Sequence, residues 1–177
     1  MRSVLWWFAA FCTVAVSSYA QSQTQAICPS RPGVYALKDS RWIELPTARA
    51  EKEKRRTGLP FHGVVIAVYS AQSSTLSLES NAPFCASGVS VGSTFFLGRA
   101  NEKKNSREVK VATYSAFINA YSFDIDKNQS VAIDQKRDEN GTFVLQSHKL
   151  ASGQYILFMQ QGTSLSSIPA AFDFYIP

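Results

Sequence analysis

Residues 150–158 are LASGQYILF, and this stretch indicates the fold class of the whole chain. Leu150, Gly153 and Tyr155 match the L-x-x-G-x-Y spacing of the corner before a late strand in Greek-key sandwiches, where the tyrosine hydroxyl bonds to nearby backbone. We expect Gly153 to turn the chain with a positive φ angle and Tyr155 to hold the corner. The stretch therefore predicts a structural corner followed by a strand, rather than a chemical site.

From residue 63 onward, short apolar or alternating segments follow one another, with turn signals such as Asn140-Gly141 between them. No segment beyond the first twenty residues has a long helical apolar period. We therefore expect an all-β fold, an antiparallel Greek-key (immunoglobulin-like) β-sandwich. The predicted strands are residues 63–70, 74–80, 93–100, 107–115, 130–137, 141–149, 154–160 and 171–177.

The part before this domain is predicted to hold a β-hairpin and a charged segment. VYALK and RWIEL flank a short turn at Asp39-Ser40, which indicates two antiparallel strands. Residues 48–56, ARAEKEKRR, favour a short solvated helix or a charged link. The predicted organisation is a signal peptide at residues 1–20, a disordered start, hairpin and link at 21–58, and the sandwich at 59–177.

Residues 1–20 have the features of a secretory signal peptide: one positive charge at Arg2, an apolar run, and small residues before a cleavage site after Ala20. A membrane anchor is the rival interpretation, but the run is about thirteen residues long and a span needs about twenty. We expect a secreted or periplasmic protein without a membrane span in its mature form.

Removal of the signal peptide would take Cys12 away and leave Cys28 and Cys85. An even pair in an exported chain predicts a disulfide, whereas a redox cysteine would favour a C-x-x-C spacing. The mature chain would keep 17 of the 18 basic residues against 13 acidic ones. This net charge of +4 is too small for a nucleic-acid-binding surface.

The stretches PGVYALKDSRWIELP, NSREVKV, LASGQYILF and AFDFYIP resemble a group of uncharacterised secreted bacterial proteins with a β-sandwich domain. Those proteins often have Pro-Gly-Glu-Tyr where this chain has Ser152 to Tyr155. The resemblance implies a sandwich fold and export. It implies no activity, so no catalytic residue can be carried over from it.

Gly88 to Gly92 match the G-x-S-x-G pattern of hydrolases, with Asp124 or Asp134 and then His148 downstream of Ser90. A nucleophile elbow needs a helix after the serine. Here the residues that follow predict a strand, which favours a loop of small residues. A serine hydrolase built on Ser90, His148 and an aspartate is an alternative hypothesis.

Residues 124–128, DIDKN, resemble the start of a calcium loop, but Gln129 replaces the required glycine and Gln135 the bidentate glutamate. An acidic turn is the simpler interpretation. His62 and His148 are the only histidines, and neither has a zinc-type spacing. We expect no metal and no cofactor.

Several basic and aromatic residues are candidates for ligand contacts. The basic ones form two groups, which indicate either an anion-binding surface or a solvated link and hairpin turn. The aromatic ones would form a sugar-stacking platform if exposed, and are core residues otherwise. The candidates are Arg49 to Arg56, Lys103, Lys104, Arg107 and Lys110, together with Tyr35, Trp42 and Tyr121.

These features predict an exported, non-enzymatic β-sandwich that acts as a binding or structural module of the cell envelope or extracellular space. The expected partner is an envelope protein or polysaccharide, and not a nucleic acid. A carbohydrate-binding module is a further alternative. Asn128 and Asn140 begin glycosylation sequons, which matter only in a eukaryotic secretory pathway.

Overall fold

The computed structural model describes residues 27–57, 62–70, 74–115, 120–162 and 168–177. The predicted signal peptide lies outside these residues, as does the polar start before Ile27. The side chains of His62 and Tyr121 also lie outside the described part of the chain.

The described residues form fifteen β-strands and no helix, which confirms the predicted all-β class. None of them belongs to a helix that could cross a bilayer. The strands are β1 (Gly33–Lys38), β2 (Arg41–Glu44), β3 (Thr47–Ala48), β4 (Lys52–Thr57), β5 (His62–Ser70), β6 (Phe84–Ser87), β7 (Ser93–Arg99), β8 (Asn101–Lys103), β9 (Ser106–Ser115), β10 (Ala120–Phe123), β11 (Ser130–Val131), β12 (Ile133–Arg137), β13 (Phe143–Ser147), β14 (Gly153–Gln161) and β15 (Ala170–Ile176).

The strands form three antiparallel sheets, whereas an immunoglobulin-like sandwich has two. Sheet A has the order β12-β13-β6-β1-β2, and sheet B has the order β11-β7-β14-β15-β3. Sheet C has the order β10-β9-β5-β4, with β8 also paired to β9.

Sheet B is buried on both faces, as its central strand β14 shows. Tyr155 and Leu157 belong to a hydrophobic core shared with sheet A. Ile156 and Phe158 point the other way, into a second core shared with sheet C. Because alternate residues of a strand face opposite sides, a strand between two sheets needs a continuous apolar run. This double burial explains the sequence YILF.

Aromatic pairs connect the three layers. Their ring centroids lie within the range in which tilted and edge-to-face pairs are favourable. Between sheets A and B the pairs are Phe84–Phe174 at 5.1 Å and Phe95–Phe143 at 5.4 Å; between sheets B and C, Phe123 of β10 lies 4.9 Å from Phe96 and 5.5 Å from Phe158.

The predicted hairpin is β1 and β2, and its turn residues Asp39 and Ser40 have φ angles of 49° and 61°. Positive φ at both positions matches the twist of a two-residue hairpin. Strand β1 also pairs with β6, so the hairpin is part of sheet A. A disulfide joins Cys28 to Cys85 of β6, with the two Cα atoms 6.1 Å apart.

The charged segment is neither a helix nor a link, which corrects the prediction for residues 48–56. It begins at Ala48 of β3 and continues into the edge strand β4, which pairs with β5 over six residue pairs. Lysine and arginine suit an edge strand because they discourage pairing with other chains. The domain boundary predicted at residue 58 thus falls between two paired strands of sheet C.

Residues 74–80, predicted as a strand, are mostly irregular. Only Ser77 forms an isolated bridge, to Tyr175 of β15. The backbone of Leu76 and Leu78 nevertheless exchanges hydrogen bonds with Tyr175, so the segment runs along β15 without extending a sheet.

At the corner before β14, Gly153 has a φ angle of 147°, and the Tyr155 hydroxyl donates to the carbonyl oxygen of Ala151 at 2.7 Å. Leu150 is buried in the core between sheets A and B. Burial raises the pKa of Tyr155, so its hydroxyl stays a hydrogen-bond donor.

Candidate functional site

The outer face of sheet C, which points away from sheet B, has a cluster of charged residues on paired strands. On β5, Val65, Ala67 and Tyr69 face the core, so Val64, Ile66 and Val68 face outward. Cross-strand partners share a face, and basic residues stand beside these aliphatic ones. The basic face, as we define it, comprises Lys52, Lys54, Arg56, Lys103 and Lys110, with Glu108 among them.

Aliphatic residues form the floor of the basic face. Ile66 and Val68 are 3% and 1% exposed, yet they belong to neither core. Their cross-strand neighbours include Lys52, Lys54 and Lys110. The apolar stems of long basic side chains pack over such residues while the charged ends stay in water.

Glu108 is the acidic centre of the basic face. Its carboxylate accepts from Lys54 at 2.5 Å and from Lys103 at 2.6 Å, and its side chain is 7% exposed. The hydrogen bond from Lys103 and then that from Lys54 lower the pKa of Glu108 to about 2. One carboxylate thus holds two ammonium groups from different strands in place.

A second acid at the margin of the basic face is Asp126. It accepts from Lys110 at 3.1 Å, and the backbone N–H group of Asn128 is the main cause of its lowered pKa. Five basic groups therefore face two acids, a net charge of +3. Lys52 and Arg56 are exposed on the edge strand β4.

Arg107, predicted to act together with Lys103 and Lys104, lies on the opposite side of sheet C. Its side chain is only 7% exposed and pairs with Asp173 of sheet B at 2.8 Å. Lys104 is exposed in the turn between β8 and β9. The predicted group is therefore divided: Lys103 and Lys110 belong to the basic face, and Arg107 does not.

Of the aromatic residues proposed as a stacking platform, the structure describes the side chains of Tyr35 and Trp42. Tyr35 is 5% exposed, and its hydroxyl donates to the Arg31 carbonyl oxygen at 3.0 Å. Trp42 is half-buried on β2. The ring of Tyr35 is therefore a structural element of sheet A.

Ser90 lies exposed in the turn between β6 and β7, where its carbonyl accepts from the Ser93 N–H group. The residues that follow form strand β7, as predicted, and not the helix of a nucleophile elbow. Asp124, Asp134 and His148 are exposed, with Asp134 on β12 and His148 directly after β13.

The segment compared with a calcium loop is a turn stabilised by Asp126, whose carboxylate accepts from Asn128 and Lys110. Gln135 serves another purpose: its amide bonds to the backbone of Phe95 and so extends β7 like a strand partner. Within the described ranges, no three His, Cys, Asp or Glu residues are arranged to hold a metal ion.

The sequence contained one signal for the basic face that its interpretation missed. Lys52, Lys54 and Arg56 alternate with period two, which is the period of a strand. The total of charged residues suggested a link, whereas this alternation indicated an edge strand with one basic side.

The chain matches no known protein-family model and no curated protein in sequence.

Proposed function

We propose that this protein is an exported, non-enzymatic β-sandwich binding module that holds an anionic polysaccharide of the cell envelope or extracellular space on its basic face. The observation that carries the proposal is the positive surface formed by β4, β5, β8 and β9. Among the described residues of this face, two acids, Glu108 and Asp126, oppose the five basic groups, and each already binds lysine.

The dimensions of the basic face suit a polymer better than a small anion. Strands rise about 3.3 Å per residue, so Lys52 to Arg56 span roughly 13 Å along the edge of the sheet. Lys103 and Lys110 add charges across the neighbouring strands. Repeated carboxylate or phosphate groups along a chain could contact several of these cations at once, which raises avidity.

Two features support export. The first twenty residues have the composition of a signal peptide, and the Cys28–Cys85 disulfide is of a kind that persists in oxidising compartments. We further propose that sheets A and B together form a Greek-key sandwich, which the corner at Tyr155 supports. Sheet C packs on this sandwich and carries the basic face.

The test is retention of the purified protein on immobilised polygalacturonate, with neutral dextran as the reference matrix, across a salt series. We expect retention on polygalacturonate alone, weakening as salt screens the charges. The double variant Lys52→Glu/Arg56→Glu should lose at least tenfold in affinity, because both positions change from attraction to repulsion.

The matched control is Lys136→Glu/Lys149→Glu, which makes the same change in net charge at exposed positions outside sheet C. It should keep most of the retention. An equal loss in both double variants would mean that net charge alone drives binding. That result, or no retention even at low salt, would refute the proposal.

A further inference from the structure

A polar cavity of about 250 Å³ lies where sheets B and C meet beside β3. Arg49, Tyr69, Ser74, Arg107 and Asp173 are among the residues that line it. The residues come from both sheets, and the cavity is on the other side of sheet C from the basic face.

Arg107 is the buried charge of this cavity. Its Nε donates to the Ser70 carbonyl oxygen at 2.8 Å, and its Nη1 donates to Asp173 Oδ2 at 2.8 Å. These bonds neutralise the guanidinium and fix its plane. Among the described residues no bond involves Nη2, which leaves that nitrogen as a donor for a ligand.

Tyr69 is the second unusual group. It is the cross-strand partner of Arg107, it is 1% exposed, and its hydroxyl has no hydrogen-bond partner in the described part of the chain. An unpartnered buried hydroxyl has lost its hydrogen bonds to water without replacement, so native structures rarely keep one without a reason. Burial raises the pKa of Tyr69, so the hydroxyl stays protonated.

Two acceptors beside the cavity, Gln154 Oε1 and Asp173 Oδ2, already accept hydrogen bonds, whereas the Tyr69 hydroxyl is a donor left over among the described residues. The amide oxygen of Gln154 accepts from the Ser74 N–H group at 3.2 Å, and the Ser74 hydroxyl donates to the Asp173 carbonyl oxygen at 3.0 Å. Arg49 adds an exposed positive charge at the cavity. A ligand that brings acceptors and a negative charge matches this surplus.

We infer that the cavity binds a small organic carboxylate, with Arg107 and the Tyr69 hydroxyl as donors to its two oxygens. Paired donors of this kind are suited to a carboxylate, since guanidinium bonds to carboxylates are charge-assisted. This inference goes beyond polymer binding, because it concerns a different site and a ligand of a different size.

The experiment is titration calorimetry of the full chain with acetate, propionate and succinate, at constant ionic strength set with chloride. Acetamide and propionamide are the matched neutral ligands. We expect at least one carboxylate to bind with a millimolar or lower Kd and the amides to bind at least tenfold more weakly. Tyr69→Phe should raise the Kd of that carboxylate at least tenfold.

Tyr69→Phe is chosen because its hydroxyl has no protein partner, so its removal should leave the unfolding temperature unchanged or higher. An Arg107 variant would instead leave Asp173 buried and unpaired. The control Tyr155→Phe removes a hydroxyl distant in sequence that has a partner, and it should leave carboxylate affinity unchanged. Three results would each overturn the inference. They are equal carboxylate affinity in Tyr69→Phe and wild type, amides that bind as well as carboxylates, and no binding by any of the carboxylates. None of these results depends on polymer retention, so the two proposals fail separately.

Discussion

Tyr35 and Tyr155 make the same bond at the starts of two strands in different sheets. The hydroxyl of Tyr35 donates to the Arg31 carbonyl oxygen at 3.0 Å, and that of Tyr155 donates to the Ala151 carbonyl oxygen at 2.7 Å. Each tyrosine comes two residues after the glycine that begins its strand. The tyrosine corner therefore occurs twice, once in sheet A and once in sheet B.

Removing the hydroxyl of Tyr155 should destabilise the fold. In Tyr155→Phe the ring keeps its place against Phe174, but the Ala151 carbonyl loses its donor. We expect the free energy of unfolding, measured by urea denaturation, to fall by about 1 kcal/mol. The control is Tyr69→Phe, whose hydroxyl has no partner among the described residues and should show no such loss. Equal stability of Tyr155→Phe and wild type would contradict a stabilising corner.

The two corners differ in how much of their structure the sequence predicts. The sequence predicts a corner at residues 151–155, because a leucine precedes them at the familiar spacing. Residues 31–35 have the same glycine-to-tyrosine spacing, yet there the sequence predicts only a hairpin strand and a stacking residue. The local bond is predictable at both places, because it depends on four residues of chain and a glycine.

Loss of the disulfide should weaken the fold substantially. The bond closes a loop with a sequence separation of 57 residues. In the chain-entropy model a loop of this size contributes about 4 kcal/mol, less any compensating structure in the unfolded chain. The double variant Cys28→Ala/Cys85→Ala should therefore unfold at a clearly lower urea concentration than the oxidised protein. Wild type under reducing conditions should match the double variant, and a reduced protein as stable as the oxidised one would count against this account.

Stability should fall in acid because of Glu108. Its pKa is lowered from 4.5 to about 2, so its ion pairs contribute fully above pH 4.5 and are lost as the pH falls toward 2. Since both lysines are partly exposed, solvent screening reduces this contribution to about 1–2 kcal/mol. The measurement is urea unfolding of wild type and Glu108→Gln from pH 7 to pH 2.

The difference in unfolding free energy between these two proteins should shrink as the pH falls through that window. Glu102→Gln, an exposed change on the same hairpin, should follow wild type throughout. A Glu108→Gln protein that loses as much stability as wild type between pH 4.5 and pH 2 would show that other carboxylates dominate.

The layer arrangement was harder to predict than the strands, for a physical reason. Composition and turn signals identify strands because both act within a few residues. Whether a strand is covered on one face or two depends on partners distant in sequence, and the continuous apolar run Tyr155 to Phe158 is a local clue. For the same reason the sequence predicts Arg107 at the surface, because its partner Asp173 is 66 residues away.

The Arg107–Asp173 pair is an ionic contact between sheets B and C. Removing one partner should destabilise the fold strongly, whereas replacing both with apolar residues should change its stability little. Both side chains are nearly buried, at 7% and 11% exposure. Asp173→Ala leaves the guanidinium without its counter-ion, and breaking a buried pair in this way costs about 3–5 kcal/mol. The double variant Arg107→Met/Asp173→Leu removes both charges and fills similar volume, so its free energy of unfolding should lie within about 1–2 kcal/mol of wild type. A double-mutant cycle completed with the single variants Arg107→Met and Asp173→Leu would measure the coupling between the two side chains. If the effects of the single variants simply add, the pair contributes nothing to stability beyond its two separate side chains.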